Sequence, residues 1–449
     1  MKMVSGQLIR IGSGAGYSGD RLEPALDLAE KGDLNYLVFE CLAERTIALA
    51  QLQKSKDADT GYDPLLEVRM KAVLPVCRAK NTKIITNMGA ANPLSAMEKT
   101  ASIARELGLK GMKIAAVTGD DVLEAVQQGD NTLLETGNPL KSLGESLISA
   151  NAYLGAKALV EALENGADVV ITGRVADPVL FTAPLIYEYG WDLEDYKLMG
   201  QGIVIGHLME CAAQVTGGYF ADPGYKDVPG LEDLGFPIAE VAPDGTFVIG
   251  KLEGTGGLVS AATCKEQLLY EIHDPAAYLT PDVIADFTEV TIEEIKKDVV
   301  RITGGKGRPK SGKLKVSLGY SDGFIGEGQI SYGGPGALER ARLAQDIVKA
   351  RLKNAGAVFN EIRYDLIGAD SLYGKTISGG NPYEVRLRVA GRCADRLQAI
   401  RIGNEVETLY TNGPAGGGGV SKSVQQVLAV QSVLLDEHLA PTHINYKTV

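Results

Sequence analysis

The sequence is short of the residues from which many common sites are built. Its four histidines, at 207, 273, 438 and 443, are scattered over 449 residues, which argues against a histidine-rich metal centre. Its five cysteines, at 41, 77, 211, 264 and 393, form no Cys-x-x-Cys pair, which argues against a cysteine-only zinc site and a disulfide framework. No metal is expected. No run reaches about 18 apolar residues, so no membrane-spanning helix is expected. Positive charge is in deficit: 45 Lys and Arg face 57 Asp and Glu, for a net charge of −12. The global field therefore opposes nucleic acid and anionic membranes, and neither is expected as a partner. The first residues, Met-Lys-Met-Val-Ser-Gly, lack the apolar core and cleavage site of a secretory signal, and the expected location is the cytoplasm.

Glycine, by contrast, is plentiful, with 54 residues that concentrate just after strand-like runs. Residues 1–200 alternate short apolar runs with helical periodicity. Strands are predicted at 8–11, 36–40, 83–87, 112–117 and 168–171, with helices at 20–31, 43–54, 64–80, 95–107 and 145–165. Apolar strands between helices predict a parallel sheet buried on both faces. The expected fold is α/β: an N-terminal doubly wound, mostly parallel sheet (Rossmann-like) over 1–230, with a second, α+β domain over 231–449 after a proline- and glycine-rich stretch at 222–237. The second domain is expected to hold two split βαβ-like units, with strands at 313–320 and 384–389 and helices at 337–353 and 420–436. In such folds ligands bind beyond the carboxyl ends of the strands. Gly14, Glu40, Asn87, Asp120 and Arg174 are all predicted to lie there.

Five segments could carry chemistry. Gly12-Ser13-Gly14-Ala15-Gly16 with Gly19 and Asp20 fits Gly-x-Gly-x-x-Gly between a strand and a helix, a pattern that lets backbone amides approach a phosphate. The alternative is a tight turn with Asp20 as a cap. Glu40 and Glu44 flank a helix start and are acid–base candidates, with Arg45 beside them to hold a carboxylate; the alternative is charge matched to the helix dipole. Asn87 and Asn92 border a Met-Gly-Ala-Ala loop that could face an oxyanion, or be an ordinary turn with Asn92 as a cap. Arg174, with Asp177 to orient it, is placed for bidentate binding of an anion; the alternative is a surface ion pair. His207, Glu210, Cys211 and Gln214 fall on one face of a helix predicted over 206–215, and His207 with Glu210 could act as acid or base. Two further segments stand apart. Residues 307–314 mimic a P-loop, but Leu314 replaces the hydroxyl residue and a strand follows, so that reading is rejected. The run 412–419, Asn-Gly-Pro-Ala-Gly-Gly-Gly-Gly, is either an anion cradle or a hinge.

Taken together, the segments ending at Arg21, Thr46, Pro93, Pro178 and Gly218 resemble the acyclic terpene utilisation AtuA-like family, over most of the chain. The resemblance implies a role in catabolism of branched, carboxylated or CoA-linked compounds and a shared site, without naming a reaction. The expected function is an enzyme of small carboxylate or branched acyl-CoA catabolism, of the hydratase, dehydratase or proton-transfer lyase type. The alternatives are a nucleotide-dependent enzyme (a dehydrogenase or ATP user) built on the Gly14–Gly19 loop, and a non-catalytic binding subunit. Coenzyme A thioester is the expected substrate carrier, ahead of NAD or ATP. The expected partners are a small-molecule substrate, further copies of the chain in a homo-oligomer, and a small partner subunit.

Overall fold

The computed structural model describes residues 8–374 and 380–449. Contacts divide the chain into two units: residues up to Gly319 together with Val430–Val449, and Tyr320–Ala429. The boundary expected near residue 230 falls inside the first unit. Two long strands, Lys313–Gly333 and Gly418–Asp436, contribute residues to both units. Among the described residues, no helix is long and apolar enough to cross a membrane.

The first unit begins with β1 (Ile9–Ala15), α1 (Glu23–Lys31), β2 (Tyr36–Phe39), α2 (Glu44–Lys54), α3 (Leu66–Lys80), β3 (Lys83–Thr86), α4 (Pro93–Glu106) and β4 (Lys113–Thr118). It continues with α5 (Leu123–Gln128), β5 (Leu147–Ala152), α6 (Lys157–Glu164), β6 (Val169–Thr172), α7 (Val179–Tyr189), α8 (Tyr196–Glu210), β7 (Pro237–Val241) and β8 (Phe247–Lys251). The five predicted strands pair in parallel in the order β1-β2-β3-β6-β4. Their side chains alternate between two cores, as strand geometry requires. Tyr36 and Val38 join one core with Ala115 and Val117, and Leu37 and Phe39 join the other with Ile114 and Ala116. Helices α6, α7 and α8 cover the first face, and α1, α3 and α4 the second.

The N-terminal strands expected to be parallel are parallel, and later strands make the sheet as a whole mixed. On the β1 side it is extended antiparallel by β7, β8 and the hairpin Thr291–Lys296/Val299–Thr303; on the β4 side the strand His443–Thr448 does the same. Ten strands result, several of them from the segment expected to form a separate domain. The strand order also differs from the classical dinucleotide-binding order, in which the chain reverses beside the first strand. Here the reversal is elsewhere. The connection leaving β3 packs on one face through α4, and the connection leaving its neighbour β6 packs on the other through α7. The crevice between outgoing connections therefore opens between the carboxyl ends of β3 and β6, two strands away from β1.

Three element assignments are corrected by the structure. The predicted helix 145–165 is β5 followed by α6, since a short apolar run does not separate strand from helix by period alone. The predicted helix 420–436 is the strand Gly418–Asp436. Its valines at 420, 424, 427 and 430 imitate helical spacing, but β-branched residues favour the pleated backbone. The helix predicted over 206–215 runs instead from Tyr196 to Glu210, its start masked by the low helix propensity of Gly200, Gly202 and Gly206.

The Tyr320–Ala429 unit repeats strand–helix–strand twice. Strand Lys313–Gly333, helix Ala337–Asn354 and strand Glu361–Ile367 are followed by strand Glu384–Cys393, helix Arg396–Glu407 and strand Gly418–Asp436. Numbered by sequence within this set, the strands lie in the order second, third, first, fourth, a split βαβ arrangement. Both helices cover one face through a shared core that includes Ala341, Val348, Ile402 and Val406.

The glycines of α8 serve packing. A Cβ on Gly206 would sit inside contact distance of the Pro178 carbonyl, and one on Gly202 would meet Thr182 at 2.7 Å. Gly206→Ala gains about 1 kcal/mol of helix propensity but overpacks rigid backbone, which costs roughly 1–3 kcal/mol. The variant is expected to unfold at lower urea concentration than the parent; an equal or higher midpoint would contradict the close approach of α8 to the start of α7.

Candidate functional site

The residues that follow the parallel strands meet around one guanidinium. Arg174, just beyond β6, is fully buried. Its Nε donates to the Val175 carbonyl at 2.9 Å, Nη1 to the Leu42 carbonyl and Nη2 to Asp177 Oδ1. Its backbone N–H donates to Asp120 Oδ2 at 2.9 Å. A Cβ on the preceding residue would collide with the Asp120 carboxylate, so position 173 must be glycine. The guanidinium also lies 4.5 Å from the centre of the Tyr153 ring. Arg174 thus joins the chain segments that follow β2, β4 and β6. It was expected to clamp a ligand anion; each of its three nitrogens donates once to the protein, which leaves one N–H on each terminal nitrogen.

Glu40, at the end of β2, is buried beside it. Its Oε1 accepts from Asn87 Nδ2 at 2.8 Å and from the Leu42 N–H at 2.9 Å, while Asn87 Oδ1 accepts from the Cys41 N–H at 2.7 Å. Burial pushes the Glu40 carboxyl up to about 7; Arg174 and the two hydrogen bonds oppose that rise, and Glu210 adds to it. Asp120, also buried, is raised to about 6 by loss of solvation against the bonds from Arg174 and Asn151. Glu44, at the head of α2, behaves oppositely. Burial raises it, but the Tyr153 hydroxyl at 2.6 Å and Lys315 at 3.1 Å outweigh burial and hold it at about 2. Neighbouring carboxylates of such unlike ionisation are a recurring feature of acid–base sites.

The C-terminal end of α8 supplies the rest. His207 Nδ1 lies 3.0 Å from Glu210 Oε1. A carboxylate only accepts, so in this pair Nδ1 is the donor. Among the described residues, Nε2 and Glu210 Oε2 are both buried without a hydrogen-bond partner. Buried polar atoms normally have partners, which marks this pair as a candidate ligand contact. The imidazole packs in a three-ring cluster with Tyr278 and Phe287, with ring centres 5.6 and 5.5 Å away. Tyr278 is held well above its usual range by burial and then by Glu210, with Tyr153 and Arg174 also acting on it, which ties the α8 pair to the Arg174 cluster. Cys211 caps α8, and Ala212 then takes a left-handed backbone. The stripe expected to run on to Gln214 ends there.

The remaining predicted residues lie as follows. Arg45 is exposed beside Glu44. Asn92 caps α4 and donates to the carbonyls of Ala58 and Thr60, both at 2.8 Å. Gly12, Ser13, Gly14 and Ala15 are not a turn but belong to β1, which pairs with β2 through a bulge. The Gly16 N–H donates to Asp20 Oδ2 at 2.9 Å, and a Cβ on Gly16 would strike the backbone of Cys211. The buried Arg69 holds this loop, donating to the carbonyls of Ser18 and Asp20 at 3.0 and 3.1 Å. Gly19 would meet only the Tyr17 ring. Tyr153, Tyr278 and Asn151 were not singled out in the sequence. Tyr153 follows the strand misread as helix, and the others carry no local signal. Among the described residues, no group of three or more His, Cys, Asp or Glu side chains could hold a metal ion.

The sign of the Glu40 effect gives a test. Its folded value of about 7 exceeds the ordinary 4.5, so ionising it costs stability. That cost is absent where both states are protonated and complete where both are ionised, so stability falls as pH rises from about 4.5 to about 7. Gln retains an oxygen to accept from Asn87 and Leu42. Glu40→Gln is expected to raise the melting temperature at pH 8 and to flatten the pH dependence across that window. A lower melting temperature at the same pH would contradict the assignment.

The sequence was compared with known proteins. No curated protein matches it. One family model, described as acyclic terpene utilisation family protein AtuA, matches residues 9–446, nearly the whole chain. The chain therefore belongs to the acyclic terpene utilisation AtuA family.

Proposed function

We propose that this chain is an enzyme of branched-compound catabolism that moves a proton on an acyl-CoA or small carboxylate substrate, as a hydratase, dehydratase or related lyase. The observation that carries this reading is the Glu210–His207 pair, two of whose buried polar atoms lack partners among the described residues, near enough for Glu210 to act electrostatically on Glu40. Glu40, held near 7 by burial, can give or accept a proton at neutral pH. His207 Nε2 is the complementary base, oriented by Glu210.

Charge narrows the substrate. Glu40, Glu44, Asp120, Asp177 and Glu210 outnumber Arg174 and Lys315 around the cluster. Such a surplus repels a free carboxylate at the reacting end and suits an uncharged thioester, alkene or alcohol. Any carboxylate of the substrate would then lie toward the exposed Arg45. The nucleotide reading draws less support, because Asp20 occupies the Gly16 amide and the glycines at 12 and 14 are strand residues. The substrate would be a small molecule met in the cytoplasm, and coenzyme A would act as its carrier.

Deuterium uptake from heavy water into a panel of branched acyl-CoA thioesters, followed by mass spectrometry, checks the reaction class. The wild type is expected to label at least one thioester. Glu40→Gln and His207→Gln are each expected to lower the rate by about 10²–10⁴-fold. Labelling that survives both substitutions would overturn the roles given to these residues.

A further inference from the structure

The uncovered sheet face of the Tyr320–Ala429 unit presents four arginines. Three have carboxylate partners: Arg363 with Asp365, Arg388 with Glu327 and Asp365, and Arg392 with Asp322. Arg386 has none among the described residues. Its guanidinium meets Gln329 Oε1, Ser331 Oγ at 3.1 Å and Ser421 Oγ at 3.2 Å. All three acceptors are neutral, so the charge of Arg386 is left uncompensated in a chain that is acidic overall.

A donor count gives this cation a use. A guanidinium has five N–H groups, and three are spent, leaving one on each terminal nitrogen. Ser331 and Ser421 each accept from Arg386 and keep their own O–H, for which no acceptor lies among the described residues. Four donors therefore border the outer side of Arg386.

The glycine run 416–419 lies beside it. A Cβ on Gly419, whose φ is 64°, would sit 4.0 Å from Arg386 Nη1, and one on Gly418 would meet nothing. At the other end, a Cβ on Gly416 would lie 3.0 Å from Nη1 of Arg340. Arg340 also lacks a carboxylate partner among the described residues and donates to the carbonyls of Gly333, Pro335, Gly336 and Ala415. Gly417 packs on Ile330 and Tyr332, so Gly418 and Gly419 are the open part of a turn that runs between two guanidinium groups with no carboxylate partner among the described residues. Open backbone beside a cation and free hydroxyls is how proteins receive phosphate groups.

We propose that Arg386, Ser331, Ser421 and the glycine turn form a binding site for the phosphate group of a small ligand. Four donors suit a tetrahedral dianion, whereas a planar carboxylate would engage two.

Calorimetric titration of the full chain with inorganic phosphate at low salt tests this. Saturable binding of one phosphate per chain is expected. Arg386→Gln is expected to weaken it at least tenfold, and Arg363→Gln to leave it unchanged. Ser421→Asp places a resident carboxylate against Arg386. It is expected to abolish binding without lowering the melting temperature, so loss of binding is separable from unfolding. A phosphate monoester that binds more tightly than inorganic phosphate would identify an esterified ligand, and the reverse would identify free phosphate; either upholds the site. No saturation, binding that survives both Arg386→Gln and Ser421→Asp, or acetate competing as well as phosphate would overturn it.

Discussion

One buried guanidinium organises the N-terminal half of this protein. Arg174 has no exposure, and a charge in that position is tolerable only when its donors are satisfied. Each of its three nitrogens donates, to the Val175 and Leu42 carbonyls and to Asp177. Because those acceptors lie in loops from different strands, satisfying the charge also fixes the loops. The Leu42 segment that Arg174 holds also donates to Glu40, and the backbone of Arg174 in turn holds Asp120. Arg174 therefore sets the site's shape and lowers the cost of keeping carboxylates in its interior.

The fold explains why the chemistry gathers there. Parallel strands deliver their following loops to one edge of the sheet, and the connections leaving β3 and β6 part to opposite faces. Asn87 and Arg174 stand at that parting, and α8 brings His207 and Glu210 to the same cluster. The glycine-rich segment at the end of β1, two strands away, is committed to packing. Phe39 lies where a Cβ on Gly14 would be, and Asp20 and Arg69 hold the loop that follows.

Much of this was legible in the sequence, for identifiable reasons. The five parallel strands are continuous apolar runs with clear helical segments between them, and Glu40, Asn87 and Arg174 each follow one directly. The i, i+3 spacing of His207 and Glu210 yields the hydrogen-bonded pair. What was not legible depended on distant partners. What holds Arg174 includes the Leu42 carbonyl, far away in sequence. Tyr153 and Tyr278 reach the cluster from segments with no motif. The strand Gly418–Asp436 was misread because its valines follow a helical period while their branched side chains favour a strand. The mixed sheet was missed because its antiparallel edge strands come from after residue 230, across a stretch that resembles a linker.

The central claim is that the crevice beyond β3 and β6 holds a carboxyl group poised near neutrality by burial beside Arg174. Carbon NMR of the full chain labelled at the glutamate carboxyl carbons measures this directly. One resonance is expected to titrate near 7, well above the ordinary 4.5, and to vanish in Glu40→Gln. If every glutamate that titrates does so in the ordinary carboxylate range, or if the high resonance survives in Glu40→Gln, the account of this site is contradicted.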